Sequence, residues 1–209
     1  MDIFKNYLYK NADYCGEQEL PVLHSSKLLP NKLIPFSKAL YTKDFNQWVC
    51  FYENDEKFIC IWDNPRKYLP LLQKFYGVIS PDFSIHRNMP LQKQIDAIFN
   101  GRILGHWWKE NCIEVIPNVR FNGERTYKYA FEGIEKNSNI AVGSLGCIKN
   151  VEERKFFLAG LAEGIKILKP ENLIIYGALP KYIFEKYKDV TNILHFPCWT
   201  NLVHSKKAV

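Results

Sequence analysis

From about residue 64 onward, short apolar runs alternate with longer stretches of helical period. Residues 64–76 carry Tyr68, Leu69, Leu72 and Phe75 at helical spacing, open on Asn64-Pro65 and stop at Gly77. A short buried strand is expected at 78–83. A helix over 90–109 follows, with Leu91, Ile95, Ile98, Phe99, Ile103 and Trp107 on one face, interrupted by Gly101 and Gly105. The pattern then predicts a strand at 113–121 and a short helix at 127–131. The clearest unit comes next, a strand at 139–144 and a helix at 152–168 with Phe157, Leu158, Leu161, Ile165 and Leu168 in phase, stopped by Lys169-Pro170. A strand at 173–177, a helix at 180–188 and a strand at 192–196 complete the series.

Alternation of this kind implies right-handed βαβ crossovers and an α/β fold with a mostly parallel sheet. Five strands are counted from Val78, and 58–62 makes a sixth if it joins them. A complete eight-unit barrel typically takes about 250 residues, more than this chain has. An open sheet or a partial barrel is therefore expected.

The first third is less regular. Residues 1–42, with Pro21, Pro30 and Pro35, read as an irregular arm packed on the domain, with one candidate strand at 32–36. The β-prone runs 47–52 and 58–62 flank the polar stretch 53–57 and read as an N-terminal β-hairpin spanning 47–62. Residues 43–209 are thus expected to form a single α/β domain.

Composition narrows the class without naming it. With 209 residues, 47% hydrophobic and 24% charged, the chain can bury one sizeable core, which excludes disordered and fibrous readings. No run of about 18 apolar residues is present, so no membrane association is expected. The first ten residues lack the apolar region of a secretory signal, and a cytoplasmic location follows as the expectation. The six cysteines are then expected to be reduced thiols. There is no C-x-x-C or H-x-x-x-H spacing, so no metal site is assigned, and the absence of Walker A and G-x-G-x-x-G leaves any cofactor unspecified. Gly143-Ser144-Leu145-Gly146-Cys147 departs from a nucleophile elbow at its last position.

The net charge is +6, and only six of the 28 cations are arginine. Parallel α/β folds bind ligands at the carboxyl ends of their strands. Arg87, Arg120 and Arg125 all fall in those windows, and a guanidinium fork matches phosphate oxygens. Ser144 and Lys149, on the loop before the helix expected at 152–168, complete the candidate phosphate-binding set, together with backbone amides at that helix's N-terminus. Asp82 and Glu124 are the candidate catalytic carboxylates, as general base or metal carboxylate. Asn118, Tyr176 and Trp199 are candidate substrate contacts, Trp199 because an aromatic at a strand end can stack on a base. The competing reading pairs each arginine with a neighbouring carboxylate, Asp82 with Arg87 and Glu124 with Arg125 or Arg120.

Four blocks of rim sequence carry a resemblance. They are Gly77 to Ser84 with Arg87-Asn88-Met89-Pro90, Val115 to Arg120 with Glu124-Arg125-Thr126-Tyr127, Gly146-Cys147-Ile148-Lys149-Asn150, and Ile175-Tyr176-Gly177. Together they resemble an uncharacterised phage, prophage and mobile-element family, domain of unknown function 4417. The resemblance implies a phage or mobile-element protein working in a bacterial cytoplasm, and it carries no catalytic residues over. Two functions remain open. One is binding of, and action on, a phosphate-bearing ligand, a nucleotide or nucleic acid, at the sheet rim. The other is a non-catalytic protein that blocks a host defence component, an anti-defence role, with exposed aromatics or the N-terminal arm making the contact.

Overall fold

The computed structural model describes residues 4–207. The chain begins with helix α1 (Asn6–Tyr9) and a small antiparallel hairpin of β1 (Tyr14–Cys15) and β2 (Leu20–Pro21). Strand β3 (Leu33–Pro35), helix α2 (Phe36–Ala39) and strand β4 (Trp48–Cys50) then form the first parallel βαβ unit. Helices α3 (Cys60–Asp63) and α4 (Pro65–Leu72) lead to β5 (Gly77–Ile79). Helix α5 (Leu91–Glu110) leads to β6 (Val115–Ile116), and α6 (Tyr127–Phe131) to β7 (Asn139–Gly143). Helix α7 (Val151–Leu168) precedes β8 (Asn172–Tyr176), and α8 (Lys181–Phe184) precedes β9 (Asn192–Phe196), after which α9 (Trp199–Lys207) closes the described chain.

All pairings from β3 to β9 are parallel and follow chain order, in a four-stranded sheet β3-β4-β5-β6 and a three-stranded sheet β7-β8-β9. A parallel bridge, Asn118 to Ala141, joins the two. The ladder to β5 ends at Asn118, whose amide donates to the Ser80 hydroxyl rather than to the β5 backbone, while Pro117 and Val119 face β7: the Pro117 carbonyl accepts from Ala141 N at 2.9 Å and the Val119 amide donates to the Ala141 carbonyl at 2.8 Å. The strand expected over 113–121 is therefore two short pieces facing different neighbours.

Side-chain alternation along each strand divides the core in two. One face carries Ile34, Val49, Val78, Val115, Ile140 and Leu173 against the helices. The other gathers Leu33, Trp48, Ile79, Ile116, Ala141 and Ile174 into one cluster, with Leu194 packed against it. Side chains from all seven strands thus meet on one face, so the sheet is curled around it, with β3 and β9 as unpaired edges among the described residues. This is the α/β, mostly parallel, open architecture of βα repeats expected from the chain.

Local chemistry fixes the long helices. The Asn150 side chain caps α7 by accepting from the Glu152 and Glu153 amides at 2.8 and 3.3 Å. Lys169 closes the helix in the left-handed region. In α5, a Cβ on Gly101 would sit 2.7 Å from the Pro81 carbonyl oxygen, so this glycine lets the helix lie against the strand end that carries Asp82. Arg102, buried in α5, donates to the carbonyls of Tyr129, Ala130 and Glu132 and so satisfies the C-terminus of α6. At the opposite end of the sheet, Asn172 donates to Asn139 and Asn192 to Asn172, both at 2.7 Å, forming a ladder that holds β7, β8 and β9 in register.

One expectation about the first third is corrected. The hairpin expected at 47–62 does not form: Trp48–Cys50 pairs in parallel on both sides, while 58–62 runs into α3 after a 3-10 turn at Asp55–Lys57. Phe58 and Ile61, three apart, are the fully buried positions, which is a helical period inside a β-prone composition. The antiparallel hairpin lies earlier, at β1–β2. The candidate strand at 32–36 does form, as β3, and it is the first strand of the sheet. The six cysteines are free thiols. No helix among the described residues is long and apolar enough to cross a membrane.

Candidate functional site

The carboxyl ends of β4 to β8 converge on one mouth. Asp82, three residues beyond β5, is the centre of a polar chain that crosses it. Its Oδ1 accepts from Asn118 Nδ2 at 2.8 Å and its Oδ2 from Arg120 Nη1 at 3.2 Å. Asn118 is held in turn by a hydrogen bond from its backbone amide to Ser80 Oγ and one from the Tyr52 hydroxyl to its Oδ1 at 3.0 Å. Tyr52 stacks on Tyr176 with ring centroids 5.0 Å apart, and the Tyr176 hydroxyl accepts the Trp199 amide at 3.0 Å. The chain Arg120, Asp82, Asn118, Tyr52, Tyr176, Trp199 is continuous from one side of the mouth to the other.

The electrostatics follow from burial. The Asp82 side chain is 11% exposed and Arg120 24%. Desolvation pushes the Asp82 carboxyl above its ordinary value, against the pull of the Arg120 charge and the Asn118 hydrogen bond. The Asp82 carboxylate raises the Arg120 pKa, so the guanidinium stays charged. Burial pushes Tyr52 well above its ordinary value, helped by the Asp82 charge, which keeps its hydroxyl protonated as a donor. Arg120 Nε is buried and has no hydrogen-bond partner among the described residues. An unsatisfied donor of that kind is rare in a folded interior.

Two recesses flank the chain. The larger, about 880 Å³, is walled by Arg120, Arg87, Asn122, Cys147, Phe121 and Phe156. The smaller, about 390 Å³, lies between Tyr52, Tyr176, Trp199, Lys38 and Lys57. Leu145 lines both, so the loop between β7 and α7 is a wall that the two share. Cys147 faces the larger recess as a neutral thiol, because burial raises its pKa more than Arg120 lowers it.

The structure sorts the candidates. Asp82, Asn118 and Arg120 are brought together, and Arg87 lies at the lip of the same recess. Arg87 pairs with Glu152 and Glu153 at 3.0 and 2.5 Å and lies over the Phe156 ring, so its carboxylate partners are not the Asp82 of the competing reading. Tyr176 and Trp199 belong to the smaller recess. Ser144 is buried and donates to the carbonyls of Tyr176 and Ala178, which makes it a strut between two loops. Glu124, Arg125 and Lys149 are exposed and line neither recess; Arg125 donates to the Met89 carbonyl. Helix α7 offers no free N-terminal amides for an anion at Glu152 and Glu153, since Asn150 accepts from both. Tyr52, Phe156 and Leu145 are members of the site that the sequence pattern does not single out. Tyr52 follows β4, and the rule that locates the other rim residues finds it once β4 is known to be parallel. Among the described residues, no group of three or more His, Cys, Asp or Glu that could hold a metal is present.

The pattern of Domain of unknown function (DUF4417) matches residues 12–197, nearly the whole chain and every strand of the mouth. The chain belongs to this family. Two curated relatives are the Gene 1 proteins of Mycobacterium phages D29 and L5. The D29 protein is 30% identical over 129 residues, which are 62% of this chain and 48% of that protein. The L5 protein is 31% identical over 129 residues, 62% of this chain and 56% of that protein. The match thus spans about half the length of these phage relatives. No solved structure matches the chain.

Proposed function

We propose that the mouth binds a phosphate-bearing ligand, a nucleotide or nucleic acid, with Arg120 as the principal anion contact and Arg87 at the lip. The observation that carries this reading is Arg120 itself: one edge of the guanidinium is held by Asp82, the side chain stays 24% exposed, and the residue walls a recess of about 880 Å³. A phosphate oxygen is the acceptor such a guanidinium favours. The volume falls within the range of small-ligand sites. Phe121 and Phe156 offer apolar surface beside the anion contact, and Asn122 an amide.

In this reading Asp82 is a positioning residue. Both of its oxygens are engaged, and its charge orients Arg120. Glu124, exposed and outside the recess, has no part in it. A cytoplasmic setting in a phage-infected bacterium fits the family and the ligand class, and this too is part of the proposal.

The test is a thermal-shift series with inorganic phosphate, nucleoside monophosphates and triphosphates, since a ligand that binds the native state raises the melting temperature. The wild type is expected to shift with nucleotides. Replacing Arg120 alone strands a buried carboxylate, so the informative variant is Asp82→Asn with Arg120→Gln, which keeps a neutral hydrogen-bonding pair. That variant is expected to fold and to lose the shift. An undiminished shift in it, or none with any phosphate compound in the wild type, overturns the proposal.

A further inference from the structure

The two recesses of the mouth differ in chemistry in a complementary way. The larger holds the arginines. The smaller is lined by the half-buried Trp199 over the buried, stacked pair Tyr52 and Tyr176, with the exposed cations Lys38 and Lys57 and the carboxylate of Glu53 at its lip. Lys57 lies 3.9 Å from Glu53 and is 55% exposed. The recesses share Leu145, which is 47% exposed at the crest of the loop between them. Gly146, next to it, has a positive φ of 78° and open space around the position a Cβ would take.

An anion site and an aromatic, lysine-rimmed site separated by one exposed leucine suit a ligand that repeats phosphate and base along its length. Single-stranded nucleic acid has that chemistry, because its unpaired bases can enter recesses and stack on aromatic rings while its backbone follows cations. A duplex presents the same backbone but keeps its bases paired and stacked, so it offers no base to the aromatic recess. The net charge of +6 suits a polyanion.

On this basis, and resting on the phosphate reading of the larger recess, we infer that the ligand is a single-stranded oligonucleotide that crosses the Leu145 crest, with a phosphate at Arg120 and an adjacent base against Trp199. Trp199 then determines ligand length, and Arg120 determines whether any phosphate ligand binds.

The experiment is a fluorescence-anisotropy and competition series on the full chain with a nucleoside monophosphate, a dinucleotide and single-stranded tetramers and octamers, in DNA and RNA arms that identify the sugar. The tetramer is expected to bind about tenfold or more tightly than the monophosphate, since one base-aromatic stack is worth about 1–3 kcal/mol. Trp199→Ala is expected to remove that gain, and Trp199→Phe to restore most of it. The Asp82→Asn, Arg120→Gln variant is expected to bind both ligands roughly tenfold to a hundredfold more weakly. Equal affinity for monophosphate and oligomers, or oligomer binding indifferent to Trp199→Ala in a folded protein, overturns the oligonucleotide and leaves the phosphate site standing. Absence of binding by every ligand overturns both. Preference for duplex over single strand overturns the path across Leu145.

Discussion

Asp82 gives the site a pH signature. Its folded-state pKa lies above the ordinary 3.8, with burial as the leading cause. A carboxyl of this kind binds its proton more tightly in the folded state. Its contribution to stability is therefore fully present below about 3.8 and is lost as pH rises through the folded-state value. Denaturation at a series of pH values should show the wild type losing stability relative to Asp82→Asn as pH rises through that window. A difference that stays flat with pH, or grows in the opposite sense, contradicts the placement of Asp82. Arg102 makes the contrasting case of a buried charge used for structure. Burial lowers its pKa to about 10, so it remains charged at neutral pH while it satisfies three carbonyls. Arg102→Leu should cost about 3 kcal/mol or more in urea unfolding, because each carbonyl left without a donor is penalised. A loss below about 1 kcal/mol would show that water replaces the guanidinium. At this scale the sequence is informative where a residue closely follows a strand: Asp82, Asn118 and Arg120 are all found by that rule. It is not informative for Glu124, Arg125 and Lys149, because a loop's outward swing depends on packing that no local pattern encodes.

Elements differ in how plainly the chain announces them. Helices α5 and α7 are legible nearly to the residue, since eighteen or more positions of helical period leave little ambiguity. The run 58–62 misleads because five apolar residues fit either period, and only the burial of Phe58 and Ile61 shows which one holds. Strand β3 is three residues long and ends on a proline, too short to register as part of a sheet until its parallel partner β4 is in place. The glycines of α7 show the same dependence on tertiary context. On an isolated helix, Gly160→Ala would be worth up to about 1 kcal/mol of stabilisation. Here a Cβ at Gly160 would overlap the Phe121 ring, and one at Gly164 would lie 2.9 Å from Phe131. Gly160→Ala is therefore expected to destabilise the protein by about 1–3 kcal/mol in denaturant unfolding. Because Phe121 also walls the larger recess, the same substitution should weaken ligand binding. A stabilised Gly160→Ala protein would mean that α7 does not pack on Phe121 as described.

The molecule as a whole is a curled parallel sheet with one cluster of side chains inside it, helices outside it, and a polar chain drawn across one end. Seven strands in chain order place Tyr52, Asp82, Asn118, Arg120, Leu145, Tyr176 and Trp199 on one mouth although they span more than half of the sequence. The general class is legible from the βα rhythm. The mouth is legible only in part, because which strand ends face each other depends on curl and on the Asn118–Ala141 bridge, neither of which leaves a pattern in the chain. The few arginines separate into distinct uses: Arg102 fastens a helix end, Arg87 closes a lip, and Arg120, paired with Asp82, walls the larger recess. The most direct measurement is titration calorimetry of a nucleoside monophosphate against the wild type and the Asp82→Asn, Arg120→Gln protein. Saturable binding is expected in the wild type, weakened roughly tenfold to a hundredfold in the variant, the range of a hydrogen bond to a charged group. Equal affinity in the two folded proteins would contradict the assignment of Arg120 as the phosphate contact.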